Sequence, residues 1–145
     1  MAASFIPYAH LSRLIALGAF NLETDALYAA LVAATYTPSV AHTTWQSGSG
    51  PKDHEITPTG NYPTGGILLS GVVVNATQFV SNTWVWANLT HSFRTVVLYK
   101  LGSGGGLTNP LIGYCDFGSI LTVTAKDFRV NIPAAGLIAL TQNTV

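Results

Sequence analysis

From residue 67 to residue 140 the chain is a succession of short apolar, β-branched runs separated by turn residues, and that rhythm narrows the folds open to it. The runs are Ile67 to Asn75, Thr83 to Leu89, Phe93 to Leu101, Leu111 to Phe117, Ile120 to Thr124, Asp127 to Ile132 and Gly136 to Leu140. Short strands at such spacing predict a mainly β, antiparallel sandwich or barrel. In the Asp127 to Ile132 run, Phe128, Val130 and Ile132 alternate with Asp127, Arg129 and Asn131, so one strand face should be buried and the other wet. By contrast, Val72-Val73-Val74 and Val96-Val97-Leu98 are apolar on successive residues. Both faces of those strands need cover, one from a second sheet and the other from something else, such as another subunit.

Upstream of residue 67 the pattern changes. Between Phe5 and Phe20, the residues Tyr8, Leu11, Leu14 and Ile15 form one apolar stripe, with Pro7 near its start and Gly18 near its end, which predicts a short N-terminal helix. From Ala26 to Tyr36 helix and strand compete. The alanines favour a helix, whereas the length, the Tyr28, Val32, Thr35 and Tyr36 content and the stop at Pro38 suit a strand buried on both faces, which is the reading taken. Residues 46–66 are rich in Gly and Pro and read as a long surface loop, with one short extended piece near His54 to Thr57. Gly102 to Gly106 reads as a mobile hairpin tip. The expected organisation is one β-sandwich domain over residues 1–145, with residues 1–25 an N-terminal arm or short helix.

Composition removes several function classes. Only 8% of the 145 residues are charged, with six Lys plus Arg against six Asp plus Glu, where about 25% is usual. With 48% hydrophobic residues the chain does not fit disorder. Without net charge or a basic cluster it lacks the field that attracts a phosphate backbone, so no nucleic-acid partner is expected. The apolar runs Leu14 to Phe20 and Ala26 to Ala34 are far short of the roughly 20 residues of a membrane-crossing helix, so no membrane partner is expected. Leu14 to Phe20 also sits late for a secretory signal and lacks a clear small-x-small cleavage site. The single cysteine, Cys115, reads as a small buried hydrophobe.

The residue types that carry chemistry do not gather into motifs. His10, His42, His54 and His91 lack the close spacing of metal clamps, and His54-Glu55 with His42 is the nearest approach to one, so no metal or other cofactor is expected. Gly102-Ser103-Gly104 is not a nucleophile elbow, and Gly104-Gly105-Gly106 lacks the Lys-Ser/Thr pair and following helix of a phosphate loop. Asp53, Glu55, Asp116 and Asp127 are the carboxylates available for a glycosidase pair, and nothing in their spacing supports one. No catalytic residues are assigned and the chain is read as a non-enzyme. Trp84 and Trp86 share one strand face and have two readings: a core or inter-subunit aromatic shelf, or a sugar-stacking platform helped by Asn82 and Asn88. Arg94 and Lys100 bracket Val96 and Leu98 on one face, which suggests an interface edge.

The order of motifs along the chain resembles that of small virion structural proteins of tailed bacteriophages, of the capsid-decoration or head-and-tail-accessory kind. The resemblance rests on Asn21-Leu22-Glu23-Thr24-Asp25, Ala30-Leu31-Val32, Tyr36-Thr37-Pro38, His42, Trp45, Glu55-Ile56, Thr59-Gly60-Asn61-Tyr62 and Gly65-Gly66. It continues through Trp84 or Trp86, Arg94, Val97-Leu98-Tyr99-Lys100, Asn109-Pro110-Leu111-Ile112, Tyr114 and Asp116-Phe117-Gly118. It implies a jelly-roll-like β-sandwich on the capsid surface of a virion, made in the host cytoplasm. The implied role is cement that binds the major capsid protein and copies of itself. Collar, tail or fibre component and carbohydrate-binding module are the alternatives. The contact residues proposed on this reading are Trp45, Tyr62, Trp84, Trp86, Arg94 and Tyr99.

Overall fold

The computed structural model describes residues 4–46, 48, 50–134 and 136–139. Its framework is one long antiparallel hairpin, β6 (Trp84–Lys100) against β9 (Leu111–Val130). On one side of the hairpin β2 (Leu27–Val32) pairs with β6, and β3 (Ile67–Leu68) pairs with β2; on the other side β1 (Ile6–Pro7) pairs with β9. The sheet order is therefore β1-β9-β6-β2-β3. A second sheet takes the order β10 (Ile138–Ala139), β5 (Gln78–Val80), β4 (Val73–Val74), and a small ribbon joins β7 (Ser103–Gly104) to β8 (Leu107–Thr108). One helix, α1 (Leu11–Ala16), and one 3₁₀ turn (Pro51–His54) complete the described elements. The fold is thus antiparallel β with one short helix, as the sequence predicts. The strand order does not trace the two four-stranded Greek-key sheets of a jelly roll; what holds is the antiparallel layering.

Three departures from the sequence reading have local causes. The apolar stripe of residues 5–20 makes only a six-residue helix, because Ile6 and Pro7 are spent on pairing with Tyr114 and Gly113. Ile67 to Asn75 is not one strand: Gly71, at φ +61°, turns the chain so that Ile67–Leu68 joins the large sheet and Val73–Val74 the small one. The five predicted strands between Thr83 and Ile132 are two long ones; the break between Leu101 and Leu111 is the hairpin's reversal, and the other expected breaks are β-bulges. Four residues, 117–120, stand opposite Arg94 alone, an extra residue near Asn88 interrupts β6, and another near Ala125 interrupts β9.

A bulge leaves a backbone amide without a ladder partner, and at three of the four register shifts of this ladder a side chain accepts it. Gly118 N–H donates to Asp116 Oδ1 at 2.8 Å, Asn88 N–H to Asp127 Oδ1 at 3.0 Å, and Ala125 N–H to Thr90 Oγ1 at 2.9 Å. All three amides belong to residues of positive φ, a conformation an alanine enters only at a cost of about 1 kcal/mol or more, so these bonds hold the bends open.

The large sheet is buried on both faces where β2, β6 and β9 meet. Leu27, Ala29, Leu31, Val96, Leu98, Ile112 and Cys115 pack with Leu11 and Leu14 of the helix and with Leu69. Ala30, Val32, Val97, Tyr99, Leu111 and Tyr114 pack beneath Tyr8, Tyr36 and Trp45. The second cover is therefore the chain's own N-terminal and 33–46 segments, not another subunit. Toward the open end of the hairpin, Phe128 (7% exposed) and Val130 (1%) point in while Asp127 and Arg129 stay wet, as the alternation predicts.

The bulge carboxylates make stability acid-sensitive. Asp116 is held below the ordinary carboxylate range first by the Arg94 hydrogen bond and also by the Gly118 amide. Asp127 is lowered first by the Asn88 amide and then by Arg129. A depressed folded-state value stabilises above the unfolded value, near 4, and the benefit is lost as pH falls through the folded one. Urea midpoints should stay level from neutral pH down to about 5 and fall below about 4. In the double variant Asp116→Asn, Asp127→Asn that acid slope should be shallower; an unchanged slope would refute the assignment.

Candidate functional site

Within the stretch 46–66, read from the sequence as a surface excursion, residues 50–66 fold back onto the free edge of β2. Ile56, Tyr62 and Pro51 are buried. Gly66 adopts φ +87° with its Cα against the Ala29 backbone, where a Cβ would collide, and Gly60 lies as closely on Thr90. These two glycines are therefore required by close approach rather than by looseness.

One carboxylate organises this docking. Glu55 Oε1 accepts the Tyr62 hydroxyl at 2.9 Å and the Gly65 amide at 2.5 Å. The Tyr62 hydroxyl in turn accepts the Leu31 amide at 3.1 Å, which lies on the β2 edge beyond the reach of β3. Tyr99 donates its hydroxyl to the Gly65 carbonyl at 2.8 Å. Burial first, and then the Glu55 charge, pushes both the Tyr62 and Tyr99 phenols far above the ordinary tyrosine value, so both remain donors at any working pH.

Above Tyr99 lies Trp45, its ring parallel to within 5° at 4.8 Å, and Tyr28 stacks on Tyr99 at 5.9 Å and 24°. These three rings, Glu55, Lys52 and Asn109 line an open pocket of ≈ 260 Å³. Three of the six predicted contact residues, Trp45, Tyr62 and Tyr99, are thus brought to one place, at and beside this pocket. They are each 3% exposed, so they are parts of the core that reach an edge, not a projecting contact surface. The sequence held a signal for the pocket in Trp45, Glu55 and Tyr62, but not for Tyr28, whose ring comes alongside Tyr99 only through strand register.

The other predicted residues lie elsewhere. Trp84 and Trp86 are 2% and 1% exposed, packed with Phe79, Phe128 and Leu137; they are core, and the exposed-shelf readings fall. Trp84 donates to Ser81 Oγ at 2.9 Å. Asn82 is occupied with Ser70, and Asn88 forms a bulge, so neither rims a sugar platform. Arg94 pairs with Asp116 at 2.9 Å on the surface, and Lys100 pairs with Asp25 at 3.1 Å while donating to the Ala19 carbonyl. The pair does not form a shared edge. His42 bonds the Tyr36 hydroxyl and His54 bonds Thr35, so these two and Glu55 are each turned to separate partners. Burial drives the Cys115 thiol up to about 12, which leaves it unreactive.

A surface that sequence reasoning missed surrounds α1. Ile15 and Leu17 are 40% and 61% exposed, and Val74 is 39% exposed. Two apolar-sided grooves of ≈ 510 and ≈ 520 Å³ flank the helix and share Ile15. The signal available was the width of the stripe: residues 14–17 are apolar almost without break, more than one helix face can bury.

Comparison of the chain with protein-family models, with curated proteins and with solved structures returns no match.

The Glu55 latch yields a test. Tyr62→Phe leaves the buried Leu31 amide without an acceptor and should cost about 1–3 kcal/mol in urea denaturation, whereas Tyr99→Phe, which removes one bond to a carbonyl, should cost about 1 kcal/mol. Equal and negligible losses would contradict the arrangement.

Proposed function

We propose that this chain is a non-enzymatic structural protein of a tailed-phage virion, a capsid cement that binds the assembled lattice of major capsid protein. The observation that carries the reading is the surface around α1. On a chain with zero formal net charge, Ile15 of α1, Leu17 at its C-terminal end and Val74 of β4 in the small sheet are exposed, and Ile15 and Val74 line grooves beside the helix. Exposed apolar side chains beside apolar-sided grooves serve association. The order of sequence motifs supports the same reading. Binding the lattice and not the free subunits stabilises the lattice by mass action, through apolar burial with few ion pairs. Copies of the chain on neighbouring lattice positions would be its other partners, and the capsid surface its location. A collar, tail or fibre position would draw on the same surface and differ in copy number.

Apolar binding predicts weak dependence on salt. Affinity for assembled shells should change by less than about threefold between about 50 and 500 mM salt, a range over which exposed charge pairs are strongly screened. Leu17→Asp should abolish binding with the fold intact by circular dichroism. A fall of orders of magnitude across that salt range, or full binding by the Leu17→Asp variant, would refute the proposal.

A further inference from the structure

We infer that the pocket formed by Tyr28, Trp45, Lys52, Glu55, Tyr99 and Asn109 binds one ring of a neutral saccharide. The inference is independent of the capsid-cement reading, since it uses different residues from those around α1. Its first support is the fixed position of two polar groups, Glu55 and Asn109. Both side-chain hydrogen bonds that Glu55 makes among the described residues fall on Oε1, which locks the carboxylate and leaves Oε2 to accept from a ligand. Asn109 is held by its Oδ1, which accepts the Gly102 amide at 2.8 Å, so its side-chain N–H groups are available as donors. Among the described residues the Lys52 ammonium has no ion-pair partner. One acceptor and two donors thus stand around a wall of three aromatic rings, of which Tyr28 is only half-buried and offers ring surface.

The charge pattern selects the ligand class. An anion drawn by Lys52 meets Glu55, and a cation drawn by Glu55 meets Lys52; a ligand whose hydroxyls both donate and accept satisfies the two together. A sugar ring also has an apolar C–H face to lay against an aromatic side chain. The open cavity of ≈ 260 Å³ lies below the usual range for drug-sized ligands, about 300 Å³ upward, which suits one ring with the rest of a glycan running out past Leu101, 50% exposed at the rim.

The test is a nuclear magnetic resonance titration of the whole ¹⁵N-labelled chain with glucose, galactose, mannose and N-acetylglucosamine, and separately with phosphate and tetramethylammonium. At least one sugar should give saturable shifts centred on the amides of Lys52, Gly65 and Asn109. Lys52→Ala should weaken that binding about tenfold, the loss of one charged hydrogen bond. Thr64→Trp, which fills the pocket from an exposed position, should abolish it without lowering the thermal midpoint. The Leu17→Asp variant should bind sugar as the parent does, which separates this site from the shell-binding surface. Absence of saturable shifts with all four sugars, shifts that survive Thr64→Trp, or binding of either ion in preference to the sugars would overturn the inference.

Discussion

The large sheet is built on the β6–β9 ladder, and the ladder holds its shape because the amides released at three of its bulges find side-chain acceptors. A regular hairpin of this length would be a twisted two-stranded ribbon unable to cover its own apolar faces. The bends at Asn88, Gly118 and Ala125 let the inner half lie against β2 while the outer half folds over Phe79, Trp84, Trp86 and Phe128. Asp116, Asp127 and Thr90 therefore matter more than their exposed positions suggest. The same bulges, with Asp116, Lys126 and Asp127 nearby, interrupt the outer edge of β9 and blunt it against unintended strand pairing.

The second constraint is that the sheet's middle strands are apolar on both faces. Such strands have no wet side, so the chain must supply two covers, and it does so with the helix on one face and the 33–46 segment on the other. At the β2 edge β3 is too short to finish the pairing, and the segment from His54 to Gly66 lies there instead. Glu55, Tyr62 and Tyr99 close that gap with side-chain hydrogen bonds. The pocket is a by-product of this closure: the aromatic rings are placed by packing, and the carboxylate by its structural bonds.

The β class, the half-buried strand at Phe128 and Val130 and the strand at Leu27–Val32 were legible because they depend on period and composition alone. The placement of the breaks was legible too, at Gly118-Ser119 and Ala125-Lys126, but not their nature. A positive-φ residue inside a strand has the same local chemistry as one in a turn, and only the distant partner decides whether the chain bulges or reverses. The large aromatics misled for a related reason. Trp84, Trp86 and Tyr62 carry the same residue signal whether they stack in a core or on an interface, since both bury an amphipathic ring. What decided between them was which strand lay opposite, and that is a long-range property. The exposed apolar side of α1 went unread because Ile15 was assigned to a buried stripe that the structure shortens.

The proposed role turns on how many copies of the chain a particle carries, because cement must match the lattice that it clamps. The most direct measurement is the molar ratio of this chain to the major capsid protein in purified virions, by quantitative mass spectrometry with labelled standard peptides. The cement reading predicts a ratio of one or a fixed simple fraction of it. A handful of copies per particle would place the chain at a portal, collar or tail, and its absence from particles would contradict the virion role altogether.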